Sequence, residues 1–270
     1  MNITFRLETP DDHYAVEEMT RETFWQFWEE NENLTLCNEH ILVHKLRNVK
    51  ALVPELNMVA ETDGKIVGHV IYTKSWIEAD DGKTYETLTF GPLTVMPEYQ
   101  SRGIGRALLQ HTFEKAKELG YRAVLIFGHP DYYTRVGFKH AADFGLTTTD
   151  GSTFDAFQVY ELYEGALGGI KGKYHIDPVY MQLTDEETQK FDKRFPPKEP
   201  HKLTPIDVLI NRLEPEAAEG LKAQGIKNLD FLKALSEREV AAFPGMNEKA
   251  IETVREIMKE YKFPWGASPA

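Results

Sequence analysis

Residues 88–127 hold the feature that most limits how this chain can fold. Leu88-Thr-Phe-Gly-Pro-Leu-Thr-Val95 reads as a strand interrupted by Gly91 and Pro92, and Gln100-Ser-Arg-Gly-Ile-Gly105 follows before an amphipathic helix. A break inside a strand marks a bulge or a splayed edge. Leu108, Leu109, Thr112, Phe113, Ala116 and Leu119 recur at helical spacing over Ile104 to Leu119, and Gly120 stands where the helix should stop. Ala123-Val-Leu-Ile-Phe127 is a continuous apolar run, as expected of a strand buried on both faces. The chain must therefore place a broken strand, a glycine turn, a helix and a buried strand in succession.

A glycine turn that opens a helix points free backbone N–H groups at one spot, and the helix dipole adds positive potential there. Glycines let the backbone approach an anion with no Cβ in the way. The turn is not a P-loop, which closes on Lys-Ser/Thr, nor a Rossmann turn, which has three glycines and a later acid. Taken alone, it reads equally as an anion site or as tight helix packing.

These residues resemble the GNAT superfamily of acyl-CoA-dependent N-acyltransferases. That family carries Gln/Arg-x-x-Gly-x-Gly/Ala after a strand ending in Val-x-Pro, matched by Val95-Met-Pro97 and Gln100 to Gly105. It also carries a Tyr four residues before Gly-Phe, matched by Tyr133-Thr-Arg-Val-Gly137-Phe138. The resemblance covers roughly residues 2–165, including a first strand at 2–6, a helix start at Thr9-Pro10-Asp11-Asp12, an Asp63-Gly64 hairpin turn and a late strand at 154–162. It implies an α+β GNAT fold, a mixed central sheet with a splayed strand flanked by helices. It also implies acetyl-CoA as cosubstrate without a metal, held by Leu93, Thr94, Val95, Gln100, Ser101, Arg102, Gly103, Ile104, Gly105 and Arg106.

The implied reaction is transfer of an acetyl group to a primary amine by direct attack in a ternary complex. A lysine-type amine with a pKa of about 10.4 is neutral in only about one molecule in 2,500 at pH 7, so a base or a desolvating pocket is required. The oxyanion needs a donor, which the opened strand at Leu93 to Val95 can offer as a backbone N–H. The departing thiolate needs a proton, and Tyr133 is the candidate acid, with Tyr132 as the fallback. Read without the resemblance, Tyr133 is a packing tyrosine. Glu86 is the candidate general base, beside the reading of a solvated acid next to Asp80-Asp81-Gly82, and His69 and His129 are alternatives.

Composition fits a cytoplasmic enzyme. No stretch of about 18 apolar residues and no signal-peptide pattern is present. The single cysteine, Cys37, reads as a small buried apolar residue. A net charge of −12 argues against binding to nucleic acid or anionic membrane and favours a cationic acceptor, a small-molecule amine or a basic peptide. Phe24, Trp25, Phe27 and Trp28 are expected either to line the acceptor site or to sit in the core.

Three segments are expected: an acyltransferase domain over 1–165, a tail and Pro-rich linker over 166–202, and an all-α domain over 203–263. The last resembles the helix-hairpin-helix module at the C terminus of the RNA polymerase alpha subunit, with Asn247 in place of the motif's second glycine and expected in the αL conformation. Its eleven acids against nine bases favour protein contact or self-association over DNA. This appended module sustains a second reading, a non-catalytic acyl-CoA sensor or adaptor.

Overall fold

The computed structural model describes residues 2–25, 28–30, 33–35, 37–198 and 204–263. Phe27, and Pro200 and Leu203 at the expected linker boundary, lie outside them, as does the side chain of Trp28. The described residues form two compact units, one of residues 2–25 and 37–197, the other of 28–30, 33–35, 198 and 204–263.

The first unit begins with β1 (Thr4–Leu7) and α1 (His13–Thr23), whose entry is fixed where the Asp12 carboxylate accepts the Thr9 N–H and hydroxyl, both at 2.8 Å. The hairpin of β2 (Trp28–Glu30) and β3 (Asn33–Thr35) belongs to the second unit, after which α2 (Glu39–Leu46) returns to the first. β4 (Met58–Thr62) turns through Asp63 and Gly64, both at positive φ (51° and 73°), into β5 (Lys65–Ala79), as a type I′ hairpin requires. Then follow β6 (Thr84–Val95), α3 (Ile104–Glu118), β7 (Ala123–Phe127), α4 (Pro130–Val136), β8 (Lys139–His140), β9 (Leu146–Thr147), β10 (Phe157–Glu161), β11 (Gly172–His175) and α5 (Asp185–Asp192).

The sheet order is β1-β4-β5-β6-β7-β10-β8, with β9 beside β11. β5 is long enough to pair β4 over its first half and β11 over Trp76 to Ala79. β6 and β7 run parallel but share one ladder position, Leu88 with Val124. Past Leu88 the two strands form an open fork, which is the splayed strand expected at Gly91-Pro92. One face of the sheet packs Tyr72, Leu88, Phe90 and Leu93 against Leu108, Leu109 and Phe113 of α3. The opposite face carries α1 and α2.

Two expectations change here. The first unit runs on to Pro197 instead of ending at 165, because β11 joins the sheet and α5 packs on α2. Asn247 is extended (φ −107°, ψ 176°) rather than αL, because it caps the next helix with its Oδ1 accepting the Ala250 N–H at 2.9 Å.

The second unit holds α6 (Asp207–Ile210), α7 (Pro215–Ala223), α8 (Glu237–Ala241) and α9 (Glu248–Glu260). They share an apolar core of Leu209, Leu221, Leu232, Val240, Val254 and Ile257. α7 meets the α8–α9 connection at Gly220, where a Cβ would stand 1.8 Å from the Pro244 carbonyl oxygen. Gly220→Ala is expected to destabilise this unit by about 2 kcal/mol, since backbone rather than a side chain must move. An unchanged thermal melt followed by helical circular dichroism would contradict that.

Candidate active site

The candidate site grows from the end of β6. The Gln100 amide donates back to the Val95 carbonyl at 3.0 Å and folds the connection over the strand end. Gly103 adopts φ +80°, a left-handed conformation that a side chain resists, and its carbonyl accepts the Ala107 N–H at 2.9 Å as the first helical bond of α3. The N–H groups of Ile104, Gly105 and Arg106 lie in the first turn and have no carbonyl one turn back to bond. They face a cavity of about 250 Å³ lined by Val95, Gln100, Ser101, Gly103, Ile104, Gly105 and Arg106 from the turn and by Tyr132 and Arg135 from α4. Backbone donors, a helix N-terminus and two arginines give this cavity a chemistry suited to an anion.

Glycine at 105 gives Tyr132 and Val95 room for close approach. A Cβ there would lie 2.9 Å from the Tyr132 hydroxyl and 3.3 Å from Val95 Cγ2. Arg102 does not line the cavity; its guanidinium stands over the Tyr99 ring at 5.4 Å. Leu93 is buried in the α3 core, and the Thr94 hydroxyl points the other way, 3.2 Å from that of Thr20 on α1.

Tyr132 and Tyr133 divide two positions between them. Tyr132 lines the cavity, and burial raises its phenol pKa while Arg106 opposes the shift. Tyr133 packs into the fork against Phe90, with ring centroids 5.9 Å apart, and against Phe138 at 5.4 Å. Its ring lies against Gly128, where a Cβ would come within 2.3 Å of it. Burial, then the neighbouring Tyr132, holds its phenol well above the ordinary tyrosine value.

Glu86 is not brought to this site. It pairs with Lys74 at 3.1 Å on an exposed stretch, its side chain 55% accessible, because β6 starts at Thr84 and places Glu86 opposite Trp76 at the outer end of the hairpin. Nine steps along the extended chain separate it from Val95, about 30 Å at about 3.3 Å each. His129 sits at the N-cap position of α4. His69 is fully buried on the α1 face, its Nε2 2.8 Å from Asn57 Oδ1, and burial holds its pKa down to about 4. Trp25 stacks on the Arg21 guanidinium at 4.3 Å, and Arg21 in turn grips Asp192 of α5 at 2.6 and 2.8 Å. Among the described residues no cluster of His, Cys, Asp or Glu is arranged to hold a metal, and no helix is long and apolar enough to cross a membrane.

Two groups near the fork carry little local signal. Glu8, Arg47, Asn57 and His69 form a buried polar network, and Tyr174 and Tyr180 come from the segment after residue 165. The Asp177-Pro178 pair before Tyr180 is the local turn signal that could have pointed to a defined structure there.

The sequence model of the acetyltransferase (GNAT) family matches residues 9–138. The chain is 31% identical over 173 residues to the uncharacterized N-acetyltransferase YhbS of Escherichia coli strain K12, covering 63% of this chain and 95% of that protein. It is 34% identical over 102 residues to the uncharacterized N-acetyltransferase YjhQ of the same strain, covering 37% and 55%. The solved structure of Escherichia coli YhbS in complex with CoA superposes with a TM-score of 0.58 at 28% identity, covering 68% of this chain and 94% of that one. An open fork beside a glycine turn, joined to a relative matched over nearly its whole length, makes this chain a member of the GNAT acetyltransferase family.

Proposed function

We propose that this protein transfers an acetyl group from acetyl-CoA to a primary amine in a ternary complex. The observation that carries the reading is the junction of the fork with the anion-ready turn, which lets a thioester lie along β6 while its pyrophosphate meets the first turn of α3. The CoA-bound state of the YhbS relative supports the same donor. Val95, Gln100, Ser101, Gly103, Ile104, Gly105 and Arg106 would hold the pyrophosphate, and N–H groups on the edge of β6 that has left β7 would receive the oxyanion.

The neutral amine attacks the thioester carbonyl carbon, the C–S bond breaks, the new amide nitrogen loses a proton and the CoA sulfur gains one. Tyr133, packed at the fork and kept protonated by its raised pKa, donates its hydrogen bond to the sulfur as negative charge develops there. A phenol above its ordinary pKa holds its proton more tightly than a thiol of pKa about 8.5, so its contribution is greatest while the C–S bond is breaking. Removal of the amine proton falls to water or to a residue of the acceptor side, not to Glu86. The net charge of −12 suits a cationic acceptor, a small-molecule amine or a basic peptide.

Thiol release from acetyl-CoA with a panel of primary amines tests this. Tyr133→Phe is expected to lower kcat by about 100-fold while acetyl-CoA still raises the melting temperature. The helical unit, with its own apolar core, supports a second reading as an acyl-CoA sensor acting through a protein contact or self-association at 203–263. Tight acetyl-CoA binding without turnover on any amine would favour that second reading.

A further inference from the structure

The face of the β5–β6 hairpin opposite α3 is lined with hydroxyls. Thr73, Ser75 and Thr87 are fully buried and Thr89 nearly so, an unusual set for the middle of a sheet. They are satisfied by one another and by two tyrosines from the segment after residue 165. Ser75 Oγ lies 2.8 Å from Thr87 Oγ1, and Thr73 Oγ1 lies 3.1 Å from the Tyr180 hydroxyl. The Tyr174 hydroxyl donates to the Leu125 carbonyl of β7 at 2.9 Å, just past the last ladder position that β7 shares with β6.

Tyr180 sits on a short turn, Pro178–Met181, which Asp177 caps by accepting the Val179 N–H at 2.9 Å. Its ring reaches the break in β6, with Cε1 3.9 Å from where a Cβ on Gly91 would be. Phe90, the preceding residue, meets Tyr133 on the other face. The half of β6 that has left β7 is thus held between two phenols, Tyr133 on the α3 side and Tyr180 on the α1 side.

Resting on the acyl-CoA reading above, we propose that Tyr180 sets the length of the acyl group. A thioester lying in the fork points its acyl carbons toward the Tyr180 ring and the hydroxyl pairs behind it. Two carbons end at this wall. A longer aliphatic chain must displace the ring, break the Tyr180–Thr73 bond and set methylenes against buried hydroxyls, which leaves those hydroxyls without partners.

Calorimetric titration of the full chain with CoA, acetyl-CoA and butyryl-CoA tests this without knowledge of the acceptor. The wild type is expected to bind acetyl-CoA about 10-fold or more tighter than butyryl-CoA. Tyr180→Ala is expected to bring the two within about twofold, whereas Tyr180→Phe, which keeps the ring, retains the preference. Because the readout is a ratio within one variant, a general loss of CoA affinity cancels, and Tyr180→Leu carries the same test if the alanine variant does not fold. Equal affinities in the wild type, or a wild-type ratio in both shortened variants, would overturn the proposal. Failure of the wild type to bind any of the three ligands would instead remove the acyl-CoA reading itself, and this proposal with it.

Discussion

Gly103→Glu is expected to abolish the rise in melting temperature that acetyl-CoA produces in the wild type. No atom lies within 4 Å of a Cβ built at Gly103, so the carboxylate has room and extends from the turn whose N–H groups face the cavity. Two unit charges about 4 Å apart repel by about 4 kcal/mol at an effective dielectric of 20, which weakens binding of a pyrophosphate by about three powers of ten. Backbone strain is a separate effect. At φ +80° any L-residue costs about 1–2 kcal/mol, and Gly103→Ala carries that cost without the charge. The alanine variant is therefore expected to melt at a lower temperature yet keep most of the acetyl-CoA shift, measured by differential scanning fluorimetry over a ligand titration. A glutamate variant that still shifts like wild type would remove the pyrophosphate from this turn.

The residues around that turn were the most legible part of the chain because their signals are local. The helix read over Ile104 to Leu119 forms over Ile104–Glu118, and the apolar run Ala123 to Phe127 is β7 itself. The break at Gly91-Pro92 correctly announced an opened strand, since β6 leaves β7 after Leu88. What failed to show depends on partners far away in sequence. Glu86 looked like part of the strand that leads to the site, yet β6 begins earlier and the pairing with Trp76 carries Glu86 to the solvent end. Residues 166–197 had weak periodicity of their own and acquire order from β5 and α2, so they read as tail and linker while supplying Tyr174 and Tyr180. Glu8, Glu17 and Arg47 carry no local sequence signal, and the packing of α1 and α2 on the sheet buries them together.

That buried network makes the folded protein sensitive to acid, and His69 is expected to account for the first part of the loss. The side chain of Asn57 fixes the tautomer: its Nδ2 donates to Glu8 at 2.6 Å, so its Oδ1 accepts from His69 Nε2–H at 2.8 Å. His69 Nδ1 is left buried with no hydrogen-bond partner, and protonating it would place a new N–H against nothing. Burial is the main cause of the depressed pKa; Glu8 pulls the other way, and Arg47 and His13 reinforce it. With a folded value of about 4 against an ordinary 6.5, the unfolded chain binds a proton that the folded chain refuses between those two pH values. Stability contributed by His69 is thus present above pH 6.5 and falls as pH drops toward 4, by about 3 kcal/mol in all. Glu8 acts lower down. Burial alone would raise its pKa, but hydrogen bonds from Arg47 and Asn57 and the charges of His69 and Arg47 hold it below the ordinary carboxylate value, so its contribution is lost only as pH falls through that lowered value. His69→Gln keeps a donor for Asn57 and removes the titration. Urea unfolding of the variant between pH 7 and pH 4 is expected to show a pH dependence flatter than wild type by about 3 kcal/mol, with the remaining acid loss confined to the carboxylate range. Parallel curves for variant and wild type would mean that His69 takes up its proton over the same pH range in the folded and the unfolded chain, so that burial does not hold it neutral.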